Sequence, residues 1–183
     1  MRALRIRNSV AAVLAGALMA VVSPAIAQAE SLQSGTPTPS VGALGSGSTS
    51  LIKNLKSGKY LTAASSANGA KVTQQADNGS YLQRWYSVLT EAGTWYSFEN
   101  YQSGLNLGID GASTAVGSVA ITANGSSDLN QDWEKDWDGD YFALVNRKSG
   151  LCLGISGAST ASGAAAAQFK CDGSANQHWT LVD

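Results

Sequence analysis

The groups from which this chain could build chemistry are few. It holds one histidine, His178, two cysteines, Cys152 and Cys171, and an acid-rich run from Asp132 to Asp140. A zinc site needs clustered thiolate, imidazole or carboxylate ligands. Here the cysteines lie 19 positions apart and the histidine is alone. A calcium loop needs D-x-D-x-D-G and an acid at its twelfth place. Counted from Asp136, the glycine (Gly139) comes too early and the twelfth residue is Arg147. No G-x-S-x-G frames a nucleophile, and the carboxylates scatter over turn sequences without a recurring pair. These residues point away from an enzyme, a metal site and a cofactor.

What the chain does repeat is a frame of asparagine, glutamine and tryptophan. N-x-x-S-G-x-x-L occurs at Asn54–Leu61, Asn100–Leu107 and Asn146–Leu153, each copy 46 residues after the last. Gln-x-Trp follows at Gln83/Trp85, Gln131/Trp133 and Gln177/Trp179, with steps of 48 and 46. This reading puts the two extra residues of the middle copy in a loop at Ser127–Asn130. Three motifs in register mark a repeat protein, since one copy alone cannot bury its apolar face.

The local signals within each copy are β. Trp95–Asn100 and Tyr141–Asn146 are short aromatic and branched runs that end in Ser-Gly turn chemistry. Leu105–Ile109 and Leu151–Ile155 pair back across that turn. After a Gly-Ala-Ser-Thr loop, Val116–Ala123 and Gly163–Cys171 form the third run. Asn78-Gly79, Asn124-Gly125 and Asp172-Gly173 mark the next turn, all suited to positive φ. Turn chemistry also accounts for the two Asn-Gly-Ser glycosylation sequons. The fourth run starts at each tryptophan. Ala164–Ala167 has helix propensity, but its place in the repeat makes it strand. Three copies of four strands are too few for a propeller. They predict an all-β fold, a β-trefoil of three ~46-residue repeats (51–93, 94–139, 140–183) with pseudo-threefold symmetry and the repeated leucines and tryptophans in its core.

The amino-terminal segment is of another kind. Arg2, Arg5 and Arg7 precede an apolar run, Val10–Val22, too short to span a bilayer as a mature helix. Ala27-Gln28-Ala29 then supplies a small-residue cleavage site. Residues 1–29 read as a secretory signal peptide cut before Glu30, which implies secretion. Residues 30–50, rich in Ser, Gly, Thr and Pro, read as a flexible lead-in. Removing the leader takes three of the 12 Lys/Arg and none of the 13 Asp/Glu, leaving about four more acids than bases. That balance argues against nucleic acid or an anionic membrane as partner. No membrane insertion is expected, and the domain is read as a monomer. In an exported chain the even cysteine count predicts a Cys152–Cys171 disulfide joining two strands of one repeat.

Taken together, N-x-x-S-G-x-x-L, G-A-S-T, N-G-S or D-G-S and N-Q-x-W resemble the ricin B-chain-type lectin repeat, in the form found in secreted actinobacterial proteins. The resemblance covers Leu51–Asp183. It implies a sugar pocket in each repeat, with an Asp after the leucine of the second strand, an aromatic on the third and an Asn before Gln-x-Trp. A sugar ring needs such an apolar plane and fixed polar partners. Here the Asp position holds Thr62, Gly108 and Gly154, and the aromatic position is assigned to Gln75, Ile121 and Phe169. The Asn position holds Leu82, Asn130 and Asn176. The third repeat, with Phe169 and Asn176, is the best remaining carbohydrate site. The second offers Asn130, with Asp110 as an alternative carboxylate. The Gln-x-Trp residues are read as structural, His178 as a surface residue and Trp137 as an exposed ring that could touch ligand. The resemblance implies galactosides or plant and cell-wall polysaccharides. The competing expectation is a trefoil that has lost its sugar and acts through protein contacts, as an inhibitor or interaction domain.

Overall fold

The computed structural model describes residues 48–91 and 93–183. The expected leader, and all but the last three residues of the expected lead-in, lie outside them. Twelve strands follow in order: β1 (Thr49–Asn54), β2 (Tyr60–Ala63), β3 (Val72–Gln75), β4 (Arg84–Glu91), β5 (Trp95–Asn100), β6 (Asn106–Ile109), β7 (Ala120–Ala123), β8 (Trp133–Asp138), β9 (Tyr141–Asn146), β10 (Cys152–Ile155), β11 (Ala166–Phe169) and β12 (His178–Val182). Short helical turns at Tyr81–Gln83, Leu129–Gln131 and Ala175–Gln177 lead into the fourth strand of each repeat.

Six strands close a barrel. β1 pairs with β4, β4 with β5, β5 with β8, β8 with β9, β9 with β12 and β12 again with β1, all antiparallel. Closure leaves the barrel without a free edge. The hairpins β2–β3, β6–β7 and β10–β11 cap one end, joined by single bridges Lys71–Ile121, Thr73–Ala165 and Val119–Ala167. This is the β-trefoil that the repeat count predicts. The core is threefold in sequence. Trp85, Trp133 and Trp179 are buried with Leu61, Leu107 and Leu153, and Ile52, Phe98 and Leu144 fill the next layer. Each indole N–H donates to the carbonyl of the leucine in its own repeat, at 2.9–3.1 Å.

Buried amides hold the repeats to one another. Asn54 donates to the carbonyl oxygen of Asn176, Asn100 to that of Leu82, and Asn146 to that of Asn130, at 2.9–3.0 Å. Each asparagine thus reaches the preceding repeat, and Asn54 joins the first to the last. Its own Oδ1 accepts from the next turn, as at Ser57 and Ser149. At the capping end Gln74 donates to the carbonyls of Ser159 and Ala161, and Gln168 to those of Ser113 and Ala115, all at 2.9 Å. Among the described residues no buried side-chain N or O atom lacks a partner.

The structure corrects where the repeats differ in length. The segment between the third strand of each repeat and the helical turn before Gln-x-Trp is five residues long in every copy (76–80, 124–128, 170–174). The difference lies between the second and third strands, where 64–71 is two residues shorter than 110–119 and 156–165. The first repeat is therefore two residues short between these strands and regains them in the β4–β5 hairpin, where 84–100 is two residues longer than 132–146, and the middle copy carries no insertion at Ser127–Asn130. The longer loops begin with helical turns at Asp110–Ala112 and Ser156–Ala158. In them Ala112 and Ala158 take φ of 50° and 48°, a region that disfavours a side chain. Gly79 and Gly173 have the expected positive φ, whereas Gly125 does not. The turn in the middle repeat is formed by Ser126, whose N–H donates to Gln131, as Asn78 does to Gln83 and Asp172 to Gln177.

Replacing Asn146 by Ala strands the Asn130 carbonyl and two N–H groups of the following turn. Urea denaturation should show a loss of about 1–3 kcal/mol, with the same loss for Asn54→Ala.

Candidate functional site

In the third repeat the expected residues come together. A cleft of about 390 Å³ is lined by Phe169, Asp172, Asn176, Gln177 and Ala158, with Val116 entering from the second repeat. Phe169 ends β11 opposite Cys152 on β10, and its ring is half-buried. The Cys152–Cys171 disulfide is formed, with Cα atoms 5.1 Å apart. It ties the strand of Phe169 and the turn of Asp172 to β10. By loop entropy such a closure contributes about 3 kcal/mol.

The polar side of the cleft is ordered by Ser174. Its N–H donates to the Asp172 carboxylate at 2.9 Å and its hydroxyl to Asn176 Oδ1 at 2.8 Å. The Ser174 hydroxyl, then its N–H, hold the Asp172 carboxyl below its ordinary value of 3.8. One hydroxyl proton cannot serve both oxygens at once, so the N–H bond is the fixed one. With Oδ1 engaged, the Asn176 amide N–H groups donate to no protein atom among the described residues, and they are free for a ligand. Gln177 is held at both ends of its amide. Its Nε2 donates to the Lys170 carbonyl at 3.0 Å and its Oε1 accepts from Asp172 N–H at 3.2 Å. Gln83 and Gln131 do the same in their own turns, which makes all three glutamines structural.

The lost acidic position has a steric explanation. A Cβ on Gly154 would lie 2.8 Å from Gln177 Cγ, 3.3 Å from the Phe169 ring and 3.4 Å from Asn176 Nδ2. Side chains of the cleft have closed over the glycine. At Gly108 the same Cβ would meet Gln131 Cγ at 3.0 Å. Thr62 turns its hydroxyl to the Tyr60 carbonyl and receives Gln83.

The second repeat does not assemble a site of this kind. Asn130 is buried, and its amide is spent on the Ile109 carbonyl at 3.0 Å. Asp110 is exposed on the helical turn that follows Ile109. Register also moves the aromatic position. Asn106 pairs with Ala123 as Cys152 pairs with Phe169, so Ala123, not Ile121, is the counterpart of Phe169. Ile121 pairs with Gly108 and bridges to Lys71. Sequence reasoning missed Asp172 as a site residue. It stood three places after Phe169, but Asp-Gly-Ser read only as turn chemistry.

The remaining chemistry-bearing groups have local partners. Asp132 pairs with Arg147, and Asp138 accepts from the Tyr141 hydroxyl. His178 stacks on Tyr141 with ring centroids 4.5 Å apart. Trp137 is 56 % exposed and leans on Phe142. Among the described residues no three His, Cys, Asp or Glu converge on one point, and no helix is long and apolar enough to cross a membrane.

The family model of the ricin-type beta-trefoil lectin domain-like family matches residues 40–123 and 129–183. The chain belongs to that family. Among solved structures it is similar to ThreeFoil, a designed threefold-symmetric protein, at 35 % identity and a TM-score of 0.71, covering 74 % of this chain and 98 % of that one. It is similar to an exo-β-1,3-galactanase from Clostridium thermocellum at 32 % identity and a TM-score of 0.71, covering 73 % of this chain but only 30 % of the galactanase. The Macrolepiota procera ricin B-like lectin, solved in complex with lactose, shares the fold at 22 % identity and a TM-score of 0.64, covering 76 % of this chain and 97 % of the lectin. No curated protein matches the chain as a relative.

Gly154→Ala forces Gln177 off both of its hydrogen bonds. It should destabilise the protein by about 1–3 kcal/mol in urea titration, and more than Gly108→Ala, where the approach is looser.

Proposed function

We propose that the protein is a secreted, non-catalytic lectin whose sugar site is the third-repeat cleft. The observation that carries this reading is the convergence of the Phe169 ring, the free Asn176 amide and the charged Asp172 carboxylate on one cleft. A pyranose would lay its C–H face on Phe169. One hydroxyl would accept from Asn176 Nδ2 and another would donate to Asp172, which replaces the acidic residue lost at Gly154. This pairing of an apolar plane with few fixed polar groups is what sugar recognition requires. A carboxylate in the cleft favours neutral sugars, and the lactose held by the Macrolepiota lectin supports a galactoside, with plant or cell-wall polysaccharide the wider class that the family resemblance implies. Secretion rests on the leader at residues 1–29.

The competing reading, a trefoil working through protein contacts, draws on the missing acceptors at Thr62, Gly108 and Gly154. Binding to lactose-agarose and to insoluble xylan, followed by titration, separates the two. The wild-type protein should bind, and Phe169→Ala should bind about tenfold to hundredfold more weakly, the loss of about 1.5–3 kcal/mol of apolar contact. Equal retention of both proteins would move the site, and no retention on these or on a glycan array would favour protein contacts.

The pH profile is a second check. The Asp172 carboxyl is depressed in the folded protein, so it stays charged well into acid. Affinity should be level from neutral pH to about 5 and fall only as pH drops through and below the ordinary carboxylate range. Asp172→Asn should remove that acid limb.

A further inference from the structure

Three tyrosines gather on the surface where the first and second repeats meet, away from the cleft. Tyr81 opens the helical turn before β4, Tyr86 lies on β4 and Tyr101 follows β5. Tyr81 is 59 % exposed and Tyr101 is 43 % exposed. The Tyr101 ring centroid lies 5.0 Å from that of Tyr81 and 5.6 Å from that of Tyr86.

The fold does not require aromatic residues there, and its own symmetry is the control. The same three positions are Leu129, Glu134 and Arg147 at the second junction, and Ala175, Thr180 and Leu55 at the third. All three junctions close with the same backbone bond at 2.9 Å, from Tyr101 to Arg84, Arg147 to Asp132 and Leu55 to His178. Three phenols at one of three equivalent places are thus free of the packing that fixes the tryptophans. Their support is rigid, because Asn100 donates to the carbonyls of Leu82 and Arg84 on either side. Little order is left to impose when a ligand binds.

The geometry points to a second sugar-binding surface, formed by Tyr81, Tyr86 and Tyr101, for a single soluble glycan chain. Phenol rings present apolar faces to sugar C–H groups, and their hydroxyls reach the sugar oxygens. The ring planes are inclined by 64° and 49°, so they cannot lie together on a flat crystalline polysaccharide, but they can meet successive residues of a twisting chain. Three rings cover far less than the roughly 800 Å² per partner of a stable protein interface. With the third-repeat cleft, the surface would make the protein bivalent toward a polysaccharide and raise its avidity. It does not depend on that cleft being live.

Affinity electrophoresis through gels containing soluble xylan or arabinogalactan tests this, using the wild-type protein, Phe169→Ala and the double variant Tyr81→Ser/Tyr101→Ser. The double variant should bind about tenfold more weakly at unchanged Tm, Phe169→Ala should keep part of its retardation, and microcrystalline cellulose should retain no protein. Amide NMR shifts of the wild-type protein with xylohexaose should cluster at residues 81–86 and 100–102, a readout that does not rely on the variants folding. A double variant retarded like the wild type, shifts confined to the cleft, or no retardation of any protein would overturn the proposal. Loss in the double variant with none in Phe169→Ala would uphold it and sink the cleft instead.

Discussion

Three buried asparagines hold this molecule in a ring. Each of Asn54, Asn100 and Asn146 carries its amide into the helical turn of the preceding repeat, and the ring closes only when Asn54 meets the last one. A buried amide left without its partner costs free energy comparable to the bond itself. The three bonds therefore favour the closed barrel over any subset of repeats. They also fix the backbone at Leu82, Asn130 and Asn176, the position at which this family places a sugar-binding amide. The third-repeat cleft thus takes its polar anchor from an element of the first repeat, more than a hundred residues away in sequence.

The capping hairpins add a second set of links that runs between the same repeats. Gln168, next to Phe169 on β11, donates into the loop at Ser113 and Ala115. That bond sets Val116 as the outer wall of the cleft. The site is therefore built by two repeats and anchored by the third. A single repeat could carry Phe169, Asp172 and Asn176 and still not form it.

Much of this was legible in the chain. The period, the four strands of each copy and the tryptophan–leucine core follow from residue spacing, because repeated residues must occupy repeated environments. The disulfide followed from cysteine count and compartment. What the Gln-x-Trp step alone could not show was where two residues had been lost. A Gln-to-Gln step of 48 taken alone fits a short loop at 64–71 as well as an insertion near Asn130, whereas the Asn-to-Gln distances of 29, 31 and 31 put the shortfall in the first repeat. That ambiguity shifted the middle repeat by two places and put Ile121 where Ala123 belongs. Asp172 was hidden for another reason. Its residue type already had a sufficient local explanation, and only the cleft shows what its carboxylate faces.

The three copies diverge where the scaffold leaves a position free. Gln83, Gln131 and Gln177 cannot vary without releasing a turn, nor can the asparagines without opening the ring. The residue after the second-strand leucine is buried beneath its glutamine in every repeat, so a bulky acid there competes with the fold for space. Gly154 has yielded that space to Gln177. An acceptor on the exposed turn at Asp172 meets no such competition, since its side chain points away from the core and its N–H still satisfies Gln177. Moving the carboxylate from strand to turn thus separates the demand of recognition from the demand of packing. The same separation holds at positions 81, 86 and 101, where backbone bonds close the junction whatever the side chains are. Specificity in this fold can change wherever the amide frame has already met its own hydrogen bonds.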